Sequence, residues 1–141
     1  MAGFLSPLRI EEIPGDDQHW RLLEPCIYHL GEPDGQEWVE VPVGFVTDFG
    51  SIPRLFWNLP DLSPFGKFRR GYVVHDKLYI APVIRTLTSA RATTRAEADA
   101  ILREALQVLG ASWATRHLIY CGVRVGGWVA WRRYRAAEQD V

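Results

Sequence analysis

His75, Asp76 and Tyr79 fall together in His75-Asp-Lys-Leu-Tyr79, and Asp99 closes the string Arg95-Ala-Glu-Ala-Asp99 twenty residues after Tyr79. These are groups able to act as base, metal ligand and orienter. A carboxylate bonded to one imidazole nitrogen fixes the tautomer and makes the other nitrogen the better base. The chemistry they suggest is general-base catalysis, with His75 as the base, Asp99 as its orienter and Asp76 as a metal ligand. Asp48, in Thr47-Asp-Phe-Gly-Ser51, is the further carboxylate that could converge on His75 and share the cation. Against this stands a structural reading, in which His75 is a satisfied core histidine and Asp76 and Asp99 tie helices together. Asp48 could equally fold its own loop.

Two helices must position these groups. One is expected from about Lys67 to Ile80, stopped by Pro82. At 100° per residue His75 lies in the middle of an apolar arc of Phe68, Tyr72, Leu78 and Tyr79, with Asp76 at its edge. The second starts at Thr94-Arg-Ala-Glu97, which fits a capping box, and stops at Gly110. Its apolar arc holds Ala98, Ile101, Leu102, Ala105 and Leu109, with Asp99 at the margin. If the arcs face each other, His75 and Asp99 come within hydrogen-bond reach. A third helix follows from about Ser112, bends or breaks at Gly126-Gly127, and continues to Arg135.

The first half reads as β. Trp20 to Leu30 contains a strand-forming run that ends in Cys26-Ile-Tyr-His-Leu30, turn residues fill Gly31 to Gly35, and Trp38 to Val43 alternates, which is a hairpin pattern. Pro42 makes the second strand an edge or ends it. Gly44 to Pro53 reads as a structured loop, with Ser51 capping a short helix and Pro53 in its first turn. Asp61 to Gly66 is loop-like. The expected fold is α+β: an N-terminal hairpin or small antiparallel sheet on a core of about three helices. One domain of 141 residues is expected, β-rich over 1–50 and helical over 51–135, with a frayed tail at 136–141.

Composition narrows the function classes. Apolar residues are 48% and charged residues 23%, ordinary globular values, and a net charge of −1 leaves no general nucleic-acid footprint. Cys26 and Cys121 fit no zinc spacing and are too few for a disulfide scaffold, so a reduced, cytosolic setting is expected. Neither a signal peptide nor an apolar run of membrane-spanning length is read. Arg54 and Arg70 could hold an anionic substrate group or pair with the acids. His117 shares a stripe with Trp113, Tyr120, Cys121, Arg124 and Trp128, and reads as packing. Trp128, Trp131, Arg132 and Arg133 form an aromatic-basic end that could meet a partner protein or a membrane surface. His19 and His29 have no companions.

Gly44-Phe-Val-Thr-Asp-Phe-Gly-Ser-Ile-Pro53, His75 to Tyr79, Arg95 to Asp99 and Val123-Arg-Val-Gly-Gly-Trp128, in that order, resemble a family of tailed phages and prophages known as domain of unknown function 1353. The resemblance covers roughly Trp38 to Trp131. It implies a phage or prophage origin, hence the cytoplasm of a bacterial host or the virion, and phage or host protein partners. His-Asp-x-x-Tyr on one helix with Asp on the next also resembles the core of phospholipases A2. That resemblance implies His75 as base, Asp76 as calcium ligand, Asp99 as orienter and Tyr79 as support for Asp99. The chain departs from it upstream, where Leu55-Phe-Trp-Asn-Leu59 has no glycine-rich calcium loop, and in lacking the disulfides. Calcium needs six to eight oxygen ligands, and Asp76 alone does not supply them. The His-Asp phosphohydrolases are a third comparison, in which His29 and Asp99 would be further ligands, but those proteins are all-helical. The expectation is a metal-assisted ester or lipid hydrolase; the alternative is a non-catalytic phage accessory or tail-associated protein that uses the helix core as a scaffold.

Overall fold

The computed structural model describes residues 3–32, 35–48 and 66–139. Its centre is α1 (Arg69–Ile80), which is buried at Gly71 to Asp76 and again at Leu78 and Tyr79. A helix apolar on nearly every side must be wrapped by other elements. Around α1 lie α2 (Arg95–Val108), α4 (Trp128–Gln139) and three strands, β4 (Cys26–His29), β5 (Glu37–Val41) and β6 (Val46–Thr47). Its chain end is fixed because Pro82 cannot continue a helix, and the Arg135 guanidinium donates to the free carbonyls of Tyr79 and Ile80 at 2.7 and 2.8 Å.

The strands form two antiparallel sheets. β1 (Gly3–Phe4), β4, β5, β7 (Val83–Thr86) and β8 (Ala90–Ala92) make a five-stranded sheet in that order. β2 (Ile10–Ile13), β3 (Asp16–Leu22) and β6 make the second, in that order. The class is α+β, with the strands concentrated in the N-terminal part. The β4–β5 pairing has Tyr28 opposite Val39 and Cys26 opposite Val41, and all four side chains are buried. β5 ends at Val41, just before Pro42, yet it is a central strand and not an edge.

The expected hairpin is present, with β4 paired to β5, and Pro25 separates β4 from β3, which belongs to the other sheet. Two expectations need correction. The span 51–135 is not simply helical, because the β7–β8 hairpin joins α1 to α2 and extends the larger sheet. The third helix breaks at Gly127, as its glycine pair suggests, into α3 (Trp113–Gly126) and α4, which makes four helices among the described residues. Residues 136–139 continue α4 instead of fraying. Ser51, Pro53, Arg54, Leu55 to Leu59 and most of Asp61 to Gly66 lie outside the described residues.

Local signals act largely as expected at α2 and α3. Thr94 accepts from the Glu97 amide at 3.1 Å, and Ser112 accepts from the Thr115 amide at 3.1 Å. The capping box is only half formed, because the Glu97 carboxylate turns to Arg91 and to the Thr93 hydroxyl. Those two charge-assisted bonds with Arg91 outweigh a single bond to a backbone amide.

Candidate functional site

Gly71 sits against Leu102, Ala105 and Leu109, whereas His75 and Tyr79 meet Asp99. α1 and α2 therefore run antiparallel, and Asp99 is fully enclosed between them. His75 Nε2 lies 2.8 Å from Asp99 Oδ1, and the Tyr79 hydroxyl donates to the same oxygen at 2.7 Å. On the other oxygen, Arg124 donates at 2.8 Å and Arg95 at 3.4 Å. Burial alone would raise the Asp99 pKa. The bonds from His75, Tyr79 and Arg124 outweigh it and hold the carboxyl below its ordinary value, hence ionised. The Tyr79 phenol is pushed up by burial and by its bond to Asp99, so it stays protonated and a donor.

A carboxylate only accepts, so the Nε2 of His75 carries the hydrogen in this bond and Nδ1 carries the lone pair of the neutral ring. Among the described residues no group donates to Nδ1, and His75 is 6% exposed. The His75 and Tyr79 rings pack with centroids 4.3 Å apart, and the edge of Trp131 meets Tyr79 at 5.3 Å. Gly127 has a steric reason to be glycine: a Cβ there would overlap the Tyr79 hydroxyl and come 2.5 Å from the Val123 carbonyl. The break between α3 and α4 therefore admits Tyr79. Arg95 supports it, donating to the Val123 and Arg124 carbonyls at 3.1 and 3.3 Å.

Asp76 belongs to a different neighbourhood. Successive helical side chains diverge by about 100°, so Asp76 points to β6 and not to α2. The Thr47 hydroxyl donates to it at 3.0 Å, and the Asp48 backbone amide also bonds it. Burial first, and then the nearby Asp48 charge, push its pKa up to about 7. The structure thus joins His75, Tyr79 and Asp99 in one cluster and Asp76 and Asp48 in another. Asp48 is placed beside Asp76, and the bonded partner of His75 is Asp99. No three potential ligands gather to hold a metal ion among the described residues. Two carboxylates fall well short of a calcium shell.

Other candidates are placed elsewhere. Arg70 donates to the Ser6 carbonyl at 3.2 Å and stacks over Phe4, away from the acids. His29 bonds the Gly35 carbonyl at 2.8 Å and stacks on Trp38, so it is no partner of Asp99. His19 does have a companion, Asp16, at 2.9 Å. His117 bonds the Trp113 carbonyl and stacks on that ring. It also lines an open cavity of about 410 Å³ with Ala100, Arg103, Glu104, Gln107 and Arg116. Cys26 is buried and Cys121 exposed, and both are free thiols. Trp131 packs inward on Tyr79, while Trp128, Arg132 and Arg133 remain exposed. The two arginines on Asp99 were not singled out from the sequence for that role. Arg95 stands four residues before Asp99, a readable helical ion-pair spacing, but Arg124 reaches it only through the fold.

The fold and cluster define an α+β protein whose buried His-Tyr-Asp group is held between two antiparallel helices. The chain belongs to the family described as protein of unknown function (DUF1353), whose model matches residues 20–123. No curated protein matches the chain, and no solved structure does. Among the described residues no helix is long and apolar enough to cross a membrane.

Proposed function

We propose that the protein is a hydrolase in which His75 is the general base, in the manner of the phospholipase A2 core that it resembles. The observation that carries this reading is the 2.8 Å bond from His75 Nε2 to an ionised, enclosed Asp99. With Nε2 so engaged, Nδ1 takes a proton from water as the water oxygen attacks an ester carbonyl. The imidazolium then returns that proton to the departing alkoxide as the acyl–oxygen bond breaks. Asp99 stays ionised throughout and stabilises the imidazolium, while Tyr79 holds Asp99 in place. The Asp76–Asp48 pair is where a divalent cation would be attracted, but the described ligands do not complete a site and no step here uses one. The order of motifs also leads us to infer a phage or prophage product that acts in the bacterial host or the virion.

The test is His75→Asn, assayed on a soluble p-nitrophenyl ester and on dispersed phosphatidylcholine. Hydrolysis should fall by at least about 10²-fold, the lower end of a general base's contribution, with circular dichroism unchanged. Wild-type protein without turnover on either ester, or equal turnover in the variant, refutes the hydrolase. One observation favours a second reading: Asp99 is sealed and bonded by four side chains, as in a purely architectural cluster. On that reading the protein is a phage accessory or tail-associated component that presents its surfaces to a phage or host protein.

A further inference from the structure

α3 and α4 contain no buried residue. Gly127 keeps right-handed helical angles (φ −69, ψ −17), and its amide donates to the Val123 carbonyl at 2.8 Å. The helical phase therefore carries through the break. One side, with Ile119, Val123, Ala130, Trp131 and Tyr134, packs on the core. The opposite side is exposed at Leu118, Cys121, Gly122, Val125, Trp128 and Val129, and then at Arg132 and Arg133. At 100° per residue these fall in one stripe. Val125 is 77% exposed, Leu118 and Val129 each 53%, and Trp128 48%.

The charge on this segment has one sign. No acidic residue occurs between Glu104 and Glu138, while five arginines do. Arg124 and Arg135 turn inward to Asp99 and to the α1 carbonyls, and Arg116 bonds the Ala111 carbonyl. Arg132 and Arg133 remain outward, each over an aromatic ring, Trp128 and Tyr134 respectively. A second copy of this chain brings no acidic side chain from this segment to meet Arg132 and Arg133. A protein partner would ordinarily find a polar, hydrogen-bonding rim, and from Leu118 to Val129 the stripe offers only the Trp128 indole N–H and the Cys121 thiol. A bilayer needs no such partners: it takes the apolar side chains into its boundary, Trp at headgroup level, and arginine onto its phosphates.

We propose that the outward face of α3–α4, from Leu118 to Arg133, docks on an anionic phospholipid bilayer. The helix pair lies along the surface and does not enter it. This proposal stands apart from the hydrolase reading, and His75→Asn should bind like wild type.

The test is co-sedimentation of the full chain with vesicles of phosphatidylcholine alone and of equal parts phosphatidylcholine and phosphatidylglycerol. Binding is expected only to the anionic vesicles, and weaker in high salt. Arg132→Gln with Arg133→Gln should weaken it roughly 25-fold, about fivefold for each arginine near an anionic surface. Val125→Asp with Val129→Asp should abolish it. All four positions are exposed, so circular dichroism should be unchanged. No sedimentation with anionic vesicles, or equal binding to both compositions, overturns the proposal. So does a dimer in sedimentation velocity that Val125→Asp dissolves, or preferential binding of a duplex oligonucleotide.

Discussion

Asp76→Asn is expected to change how stability depends on pH. Asp76 is 7% exposed, and its carboxyl is pushed from an ordinary 3.8 to about 7, first by burial and then by the charge of Asp48. The unfolded chain releases this proton near its ordinary value, whereas the native protein keeps it. The native state therefore binds more protons across that interval, and stability falls as pH rises from about 4 to about 7. Roughly three pH units at 1.36 kcal/mol each give a loss on the order of 4 kcal/mol attributable to this one group. Asparagine cannot ionise and still offers an oxygen to the Thr47 hydroxyl, which donates to Asp76 at 3.0 Å. Urea unfolding at about pH 5 and about pH 8.5 should show a smaller loss in the variant; that window spans roughly two of the three pH units, so the difference should be about 3 kcal/mol. Equal losses in the two proteins would mean that Asp76 is already ionised at low pH, and the account of its environment would fail. Millimolar calcium should leave both unfolding midpoints unmoved. A rise confined to the wild type above pH 7 would make Asp48 and Asp76 a cation site.

Gly127→Ala should destabilise the protein by forcing Tyr79 off Asp99, and Tyr79→Phe should recover part of the loss by removing the overlapped hydroxyl; additive losses in thermal unfolding of the double variant would contradict that contact. Asp99→Leu leaves Arg95, Arg124 and His75 without their shared acceptor and should cost about 3–5 kcal/mol in denaturant unfolding. Gly71→Ala goes the other way: its Cβ would meet Leu109 at an ordinary 3.5 Å, so helix propensity should add up to about 1 kcal/mol, and any loss would show that α1 and α2 pack tighter than described.

Signals that act within one turn of chain were legible in the sequence. Thr94 and Ser112 cap, Pro82 stops α1, and helical phasing turns His75 toward Asp99. Signals that depend on chain-distant partners were not. Nothing local distinguishes a pause at Pro25 from a change of sheet, because register and partner are set by β5 and β6. The β7–β8 hairpin has strands of four and three residues, too short for alternation to show, and it sits where a helix connection was expected. The same limit applies to the site. The His75–Asp99 bond follows from two periodicities, but Arg124 comes from a third element. The His75-Asp76 doublet reads as one site along the chain, and a 100° turn divides it between α2 and β6.

The β7–β8 hairpin also ties the candidate site to the folding of the whole chain. β7 pairs with β5 through Glu37–Thr86 and Trp38–Arg85, and this ladder hangs on the segment that links α1 to α2. Bringing His75 to Asp99 closes a short loop, whereas pairing β7 with β5 closes one nearly fifty residues long and costs more entropy. Local helix pairing can therefore form early, and the sheet edge locks it late. Once locked, drawing α2 away from α1 pulls on the strand between them, so the cluster opens together with that sheet edge and not as an independent hinge.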